Sequence, residues 1–412
     1  MADKVVITGI GTVNPLGKTV EETWSNAIGA KSGIAPITLF DTIDSQVKLA
    51  GEVKDFQPSN YLPAKETRRR DRCQQLASAA AMEAIQQAGL QEETDQAGRI
   101  GVIVSSAIGG LKSIEENLDI LRTKGAKKIS PFVIPQLMSN GASGLISIDH
   151  HFQGPCFSVA SACASGADGI GIAKMLIQSG VIDAAVTGGC DATITEFAVM
   201  SFDRIGAVSR RTDVPATTPR PFDRDRDGLV MGEGAAVMVL ERESRAVSRG
   251  AAILAELAGY ASTADAYHIT APSKTGSGGA KAIESALEDA QVNIGDIGYI
   301  NAHGTATQFN DLSETRAIKA AFGQQAYSIP ISSTKSMTGH MIGATGALEA
   351  IFCVLAIRNG MLPPTINYQT PDPDCDLDYI PNIAREAKIT SAASNAFGFG
   401  GHNAVLVVKE YS

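Results

Sequence analysis

The chain has 412 residues, 44% of them hydrophobic and 41 of them glycine, which suits a well-packed α/β protein of two or three ordinary domains or one large duplicated domain. A net charge of −9 excludes general nucleic-acid binding, because phosphate recognition needs a basic surface. The first β-branched run is too short for a signal-peptide core and no uninterrupted apolar stretch is long enough to cross a bilayer. The six cysteines form no C-x-x-C pair and no metal-ligand spacing, so the expectation is a cytoplasmic protein with reduced thiols, no metal and no membrane contact.

The first predicted strand, residues 5–8, runs into Gly9-Ile10-Gly11-Thr12-Val13-Asn14, which starts like a dinucleotide fingerprint. Asn14 occupies the third glycine position and Pro15 follows, so a nucleotide site is discounted. Residues 65–72 and 124–128 are basic clusters on an acidic protein. Such runs are usually solvated faces; the sharper reading is a docking surface for an acidic partner.

A helix is predicted over 74–88, closed by Gly89, then a strand over 100–105, an apolar helix over 167–180 and a strand over 184–187. Asp223-Arg224-Asp225-Arg226-Asp227-Gly228 copies the first half of a calcium loop, but Gly234 stands where a bidentate glutamate is needed. A structural charged turn is the better reading. After a strand over 235–240, the charged segment 241–250 marks the expected division into halves 1–250 and 251–412. The second half alternates helices over 280–290, 312–321 and 344–358 with strands over 297–301, 329–333 and 404–408. Alternation of this kind argues for α/β layers, and continuous apolar strands argue for sheets covered on both faces.

The chemistry centres on Val159-Ala160-Ser161-Ala162-Cys163-Ala164-Ser165-Gly166, which sets a thiol at the mouth of a buried helix. First-turn N–H groups and the positive end of the helix dipole would stabilise a thiolate there. Alone, a cysteine among alanines is more often a small buried hydrophobe. Two distant segments favour a nucleophile: Asn301-Ala302-His303-Gly304-Thr305-Ala306-Thr307 and Ser333-Thr334-Lys335-Ser336-Met337-Thr338-Gly339-His340. Each histidine follows a strand-like run and lies among glycine and hydroxyl residues, a setting suited to a site. His150, His151 and His268 lack such a setting and take the ordinary structural reading, while His402 lies in a glycine-rich loop.

These segments, with Arg220-Pro221-Phe222-Asp223, Gly232-Glu233-Gly234-Ala235 and Asn395-Ala396-Phe397-Gly398-Phe399-Gly400-Gly401-His402-Asn403, closely resemble the β-ketoacyl-acyl carrier protein synthases, nearest the elongating synthase II type. The resemblance spans nearly the whole chain. It implies a thiolase fold: a duplicated five-layer α-β-α-β-α architecture of two similar halves, each with a five-stranded sheet, in a homodimer. It also implies decarboxylative Claisen condensation of an acyl-enzyme thioester with malonyl-acyl carrier protein, lengthening fatty acyl chains by two carbons.

Carried onto this chain, the resemblance makes Cys163 the nucleophile, His303 and His340 the donors that stabilise the enolate, and Lys335 and Glu349 their supports. The backbone N–H groups of Cys163 and Phe399 match an oxyanion hole, with Phe399 as a gate. Ile108 matches a residue lining the acyl pocket, although plain core packing explains an isoleucine equally well. Thr305 and Thr307 match pantetheine-binding hydroxyls, and Phe397, Gly398 and Gly400 complete the substrate-binding set. Lys65, Arg68, Arg69, Lys127 and Lys128 match positions that meet the acyl carrier protein. Phosphopantetheine arrives on that carrier, so no resident cofactor is implied. One departure is Gly206, where a basic residue is common; Arg204 or Arg210 is expected to substitute.

Related enzymes fit less well. A biosynthetic thiolase would place a second cysteine near residues 398–401, and chain-initiating synthases have asparagine in place of His340. A free-standing polyketide ketosynthase shares the Cys-His-His set and stays open. A non-catalytic chain-length-factor-like subunit would lack Cys163.

Overall fold

A computed structural model describes residues 3–91, 95–213 and 216–412. Among these residues, nine strands share one sheet: β1 (Val5–Val13), β2 (Ile100–Ser105), β3 (Ala184–Ala192), β4 (Glu233–Arg242), β5 (Ala255–Ala264), β6 (Tyr299–Asn301), β7 (Ile331–Ser332), β8 (Ser391–Gly398) and β9 (His402–Lys409). Their order is β2-β3-β4-β1-β5-β9-β8-β6-β7. Only two residue pairs, Val6 with Glu256 and Ile7 with Ala255, join β1 to β5, so two sheets meet at a short seam.

Each side of the seam repeats one pairing plan. On the first side β1–β4 and β4–β3 are antiparallel, β3–β2 is parallel, and a parallel bridge ties Val102 to Cys156. On the second, β5–β9 and β9–β8 are antiparallel while β8–β6 and β6–β7 are parallel. This is the duplicated five-stranded plan that the resemblance implies.

The principal helices are α1 (Arg72–Ala88), α2 (Ser165–Gln178), α3 (Glu196–Ile205), α4 (Ser277–Ala290), α5 (Gln308–Phe322) and α6 (Thr345–Asn359). Strand alternation sorts them into layers. Along β4, Ala236, Met238 and Leu240 enter a central core with Ile170 of α2 and Ile351 of α6, whereas Ala235, Val237 and Val239 face Leu76 and Ile85 of α1. Along β9, Leu406 and Val408 enter the same central core, and Val405 and Val407 face Ile283 of α4 and Ile318 of α5. The layers are therefore α1, first sheet, α2 with α6, second sheet, α4 with α5. Residues 342–359 are long and apolar enough to cross a membrane by composition, but 89% of that window is buried inside the protein as a core helix.

Several motifs find their physical reason in this packing. Gly9 and Gly11 let β1 lie against α1: a Cβ at either would stand 2.1 Å from a carbonyl oxygen of Ala84 or Ala80. The calcium-like turn is a staple between distant segments. Asp223 accepts the N–H groups of Gln369, Thr370 and Asp225, and Arg226 pairs with Asp372 and, at 3.7 Å, with Asp311. The charged segment after β4 is helical over Glu243–Ser248, and its Arg245 and Arg249 turn in toward Glu241, which is fully buried.

Candidate active site

The nucleophile's position follows from a sharp backbone turn. Ala162 adopts a left-handed conformation (φ 51°), a short 3₁₀ turn covers Ala162–Ala164, and α2 begins at Ser165. Cys163 is thereby held at the entrance of a central helix, 7% exposed, on the wall of a cavity of about 450 Å³. The end of β8 presses on this turn. A Cβ at Gly398 would lie 3.0 Å from both Cys163 N and Ser161 O, so any side chain there would push the strand end and the turn apart. Next in the chain, Phe399 is half-buried and stacks on Phe202 of α3 with ring centroids 6.2 Å apart. Gly400 and Gly401 turn the hairpin with φ of 86° and 76°, where a side chain would be strained.

The backbone N–H groups of Phe399 and Cys163 lie near enough to the Cys163 sulfur to draw its pKa down. Such a pair of N–H groups beside a nucleophile is what an oxyanion hole uses. The thiolate expected from the helix dipole is not the resting state: burial pushes the thiol up to about 11, outweighing the opposite pull of Lys335 and of these two N–H groups. At neutral pH the sulfur is protonated and needs a base as it attacks.

His303 follows β6, and Glu314 of α5 fixes its loop by accepting the N–H groups of His303 at 2.8 Å and Gly304 at 2.7 Å. Asn395 donates to the same carboxylate at 3.1 Å. His340 leaves the short helix Lys335–Thr338 and is pinned by two backbone bonds, His340 N–H to Val230 O at 2.7 Å and Gly232 N–H to His340 O at 2.8 Å. The two rings meet edge to face with centroids 5.3 Å apart, and both line the cavity of Cys163. Burial and the Lys335 ammonium hold both imidazoles well below the usual histidine range, so both are neutral. His340 Nδ1 lies 3.0 Å from the Thr345 hydroxyl, while His340 Nε2 and His303 Nδ1 have no protein partner. With the hydroxyl donating to Nδ1, His340 carries its proton on Nε2, free to donate.

Lys335 and Glu349 form a buried pair, Nζ to Oε1 at 2.6 Å, each side chain 1% exposed. Burial pushes Glu349 up to about 8 against the pull of Lys335. Thr305 and Thr307 stand on the cavity wall with their hydroxyls 2.9 Å apart, and Thr307 also caps α5 by accepting the Asn310 N–H. Phe397 and Gly398 line the cavity too, but Ile108 and Gly400 do not. The N–H of Ile108 instead approaches Asp191, and Gly400 sits on the outside of its hairpin, where its N–H donates to Ile269 O.

One residue read as structural reaches the cavity, and one went unread in the sequence. His268 lines the cavity, although its Nδ1 also accepts the N–H groups of Thr270 and Ala271, the structural role expected of it. Asp191, fully buried at the end of β3, ties the two halves under the nucleophile by accepting from Ser106 Oγ, Ala107 N–H and, from the second half, Gly343 N–H. Its only local signal was an acid after the Gly188-Gly189-Cys190 run.

On the surface, Lys65, Arg68, Lys127 and Lys128 are exposed, and Arg69 lies over the Phe132 ring at 5.0 Å while pairing with Glu66. Arg70 and Arg72 leave the basic cluster, turned inward to Asp149 and Glu233. Arg210 pairs with Asp203 and stays exposed, and Arg204 is exposed in the last turn of α3.

Comparison with known proteins places this geometry. The family description "Beta-ketoacyl synthase, N-terminal domain" matches residues 2–246 and "Beta-ketoacyl synthase, C-terminal domain" matches residues 254–369. The chain is 46% identical over 408 residues to a 3-oxoacyl-[acyl-carrier-protein] synthase 2 of Synechocystis sp., covering 99% of this chain and 98% of that one. It is 47% identical, with the same coverage, to the protein of that name from Staphylococcus aureus. Among solved structures, a β-ketoacyl synthase from Burkholderia phymatum superposes with a TM-score of 0.92 at 34% identity over the full length of both chains. A type II polyketide ketosynthase in complex with its acyl-carrier protein superposes with a TM-score of 0.90 at 35% identity, also over both full lengths.

Proposed function

The chain belongs to the β-ketoacyl synthase family, and from that premise we propose that Cys163, His303 and His340 carry its chemistry. It is a β-ketoacyl-acyl carrier protein synthase that elongates fatty acyl chains with malonyl-acyl carrier protein. The supporting observation is that the thiol, two neutral imidazoles and two N–H groups beside the sulfur share one cavity.

The Cys163 thiol attacks the acyl thioester as a neutral imidazole takes its proton. The Phe399 and Cys163 N–H groups stabilise the tetrahedral oxyanion, and the imidazolium returns the proton to the departing carrier sulfur, which leaves as a thiol. Malonyl-carrier then binds. Loss of carbon dioxide leaves an enolate whose oxygen accepts hydrogen bonds from His303 and His340. Neutral imidazoles suit this step, because each has one N–H to donate and neither holds an extra proton that would quench the enolate carbon. The enolate carbon attacks the acyl-enzyme carbonyl and expels the Cys163 thiolate, giving the β-ketoacyl-carrier. Burial, helped by the Lys335 ammonium paired with Glu349, keeps both histidines neutral. Thr305 and Thr307 take the amides of the pantetheine arm, and Ile108 borders the acyl chain beyond the cavity.

The acyl carrier protein docks through Lys65, Arg68, Arg69, Lys127 and Lys128, steered by charge. The reaction balances without a resident cofactor, because the pantetheine arm comes with the carrier. A cytoplasmic location fits six free cysteines. A homodimer fits the exposed outer strand position at Cys156 together with exposed Ile134, Met138 and Ile148 in the same half. The higher identity to the synthase 2 relatives than to the polyketide ketosynthase favours fatty acyl substrates.

Mass spectrometry after incubation with acyl-carrier protein tests the reading. An acyl adduct on the peptide holding Cys163 is expected; its absence would identify a non-catalytic partner subunit.

A further inference from the structure

Resting on the reading of Cys163 as nucleophile, we propose that Asp168 is its positioning residue, acting through Ser161 and Tyr260. Ser161 stands immediately before the left-handed Ala162, and all its polar groups are engaged. Its N–H donates to Ser165 Oγ at 3.0 Å, its carbonyl accepts the Ala164 N–H at 3.1 Å, and its hydroxyl donates to Asp168 Oδ2. The other Asp168 oxygen accepts the Tyr260 hydroxyl at 2.8 Å.

Tyr260 comes from β5, in the second half of the fold. Its ring occupies the space above Gly171 of α2, where a Cβ would stand 2.2 Å from a ring carbon. Its backbone N–H donates to Asp289 at 2.8 Å, and Asp289 also accepts Lys174 Nζ at 2.7 Å. Asp168, Gly171 and Lys174 are spaced three apart along one face of α2, so Tyr260 clamps the helix whose first turn aims the sulfur.

The internal duplication shows that the fold does not require this strut. Ala164-Ser165-Gly166-Ala167 recurs as Ala344-Thr345-Gly346-Ala347, and Ile342 repeats the left-handed turn of Ala162 with φ 50°. The places of Ser161 and Asp168 are taken there by Met341 and Leu348, both fully buried. The same turn and helix start thus form with apolar packing. Burying a carboxylate is costlier than burying leucine, and at this helix position it appears only in the half that carries the thiol. A carboxylate accepting two donors fixes the turn's rotation about the helix start, which apolar packing leaves looser. Both the sulfur and the Cys163 N–H ride on that turn.

The test separates the half-reactions. In Asp168→Ala and Ser161→Ala, acylation of Cys163 by acyl-carrier protein should slow by at least about tenfold, the scale of a misplaced reacting group. Malonyl-carrier decarboxylation by the same variants should stay within about twofold, because the histidines sit on other loops. Asp168→Asn, whose amide still bridges Tyr260 and a Ser161 hydroxyl turned to accept, should keep most of the acylation rate. Unchanged acylation in the alanine variants, or equal loss of both half-reactions, overturns the proposal. Should Asp168→Ala not fold, Ser161→Ala and Tyr260→Phe carry the test, since each removes one donor; unchanged acylation in both overturns it. A lack of any acyl adduct in the unaltered protein would refute the nucleophile itself, a distinguishable failure.

Discussion

Gly398→Ala adds one methyl where the strand end meets the nucleophile's turn. The new Cβ would stand 3.0 Å from Cys163 N and Ser161 O and 3.3 Å from Ala162 Cβ, against ordinary contacts beyond 3.4 Å. Backbone atoms on one side and a fixed turn on the other leave no flexible side chain to yield, so β8 and the turn must part by a few tenths of an ångström. Overpacking of this kind costs about 1–3 kcal/mol of stability. A catalytic cost comes with it, because the parting separates the Phe399 and Cys163 N–H groups beside the sulfur. Losing one oxyanion donor costs about 10²- to 10³-fold in rate. Partial displacement should therefore slow Cys163 acylation by between tenfold and about a hundredfold. The assay is single-turnover acylation followed by mass spectrometry, with a thermal melt to verify folding. A folded variant that acylates within twofold of the parent would refute the shared-hole geometry.

Further predictions rest on the charges and burial in the site and on the basic patch outside it. His303→Ala should abolish malonyl-carrier decarboxylation while leaving acyl transfer partly intact, and equal loss of both would refute that division; Cys163→Ala should abolish condensation. Lys335→Met should impair the two half-reactions by different routes. Lys335 holds both histidines down, so its loss raises them and the acid limb of decarboxylation moves to higher pH; it also pulls Cys163 down, so acylation at neutral pH slows. An acid limb that stays in place would contradict the electrostatic role. In the unaltered protein, alkylation of Cys163 by iodoacetamide should keep rising from pH 7 toward about 11, and a plateau near pH 8 would contradict the buried, protonated thiol. Carrier affinity should fall with ionic strength, and charge reversal at Lys65, Arg68, Lys127 and Lys128 should flatten that dependence; affinity constant from low to high salt would disprove the docking patch.

The reactive set was legible from local chemistry. A cysteine before a helix of small residues, and two histidines among glycine and hydroxyls after short strands, are patterns that one segment can display. The central core strands were equally plain where they are β-branched, as in Glu233–Arg242 and His402–Lys409. Ala255–Ala264 and Ser391–Gly398 escaped notice because alanine, serine and glycine carry little strand preference, and only pairing on both sides makes them strands. The first supplies Tyr260 and the second Gly398 and leads into Phe399, so the segments that organise the nucleophile are the ones least visible in sequence.

Residue type alone determined which groups could react and that the chain builds layered sheets. What the tertiary structure decided is their state and company: burial protonates the thiol that a helix dipole would ionise, Lys335 meets Glu349 across fourteen positions, and Asp191 reaches Gly343 in the other half. These outcomes depend on desolvation and on contacts between segments far apart in the chain, and neither quantity exists until the two halves close on each other.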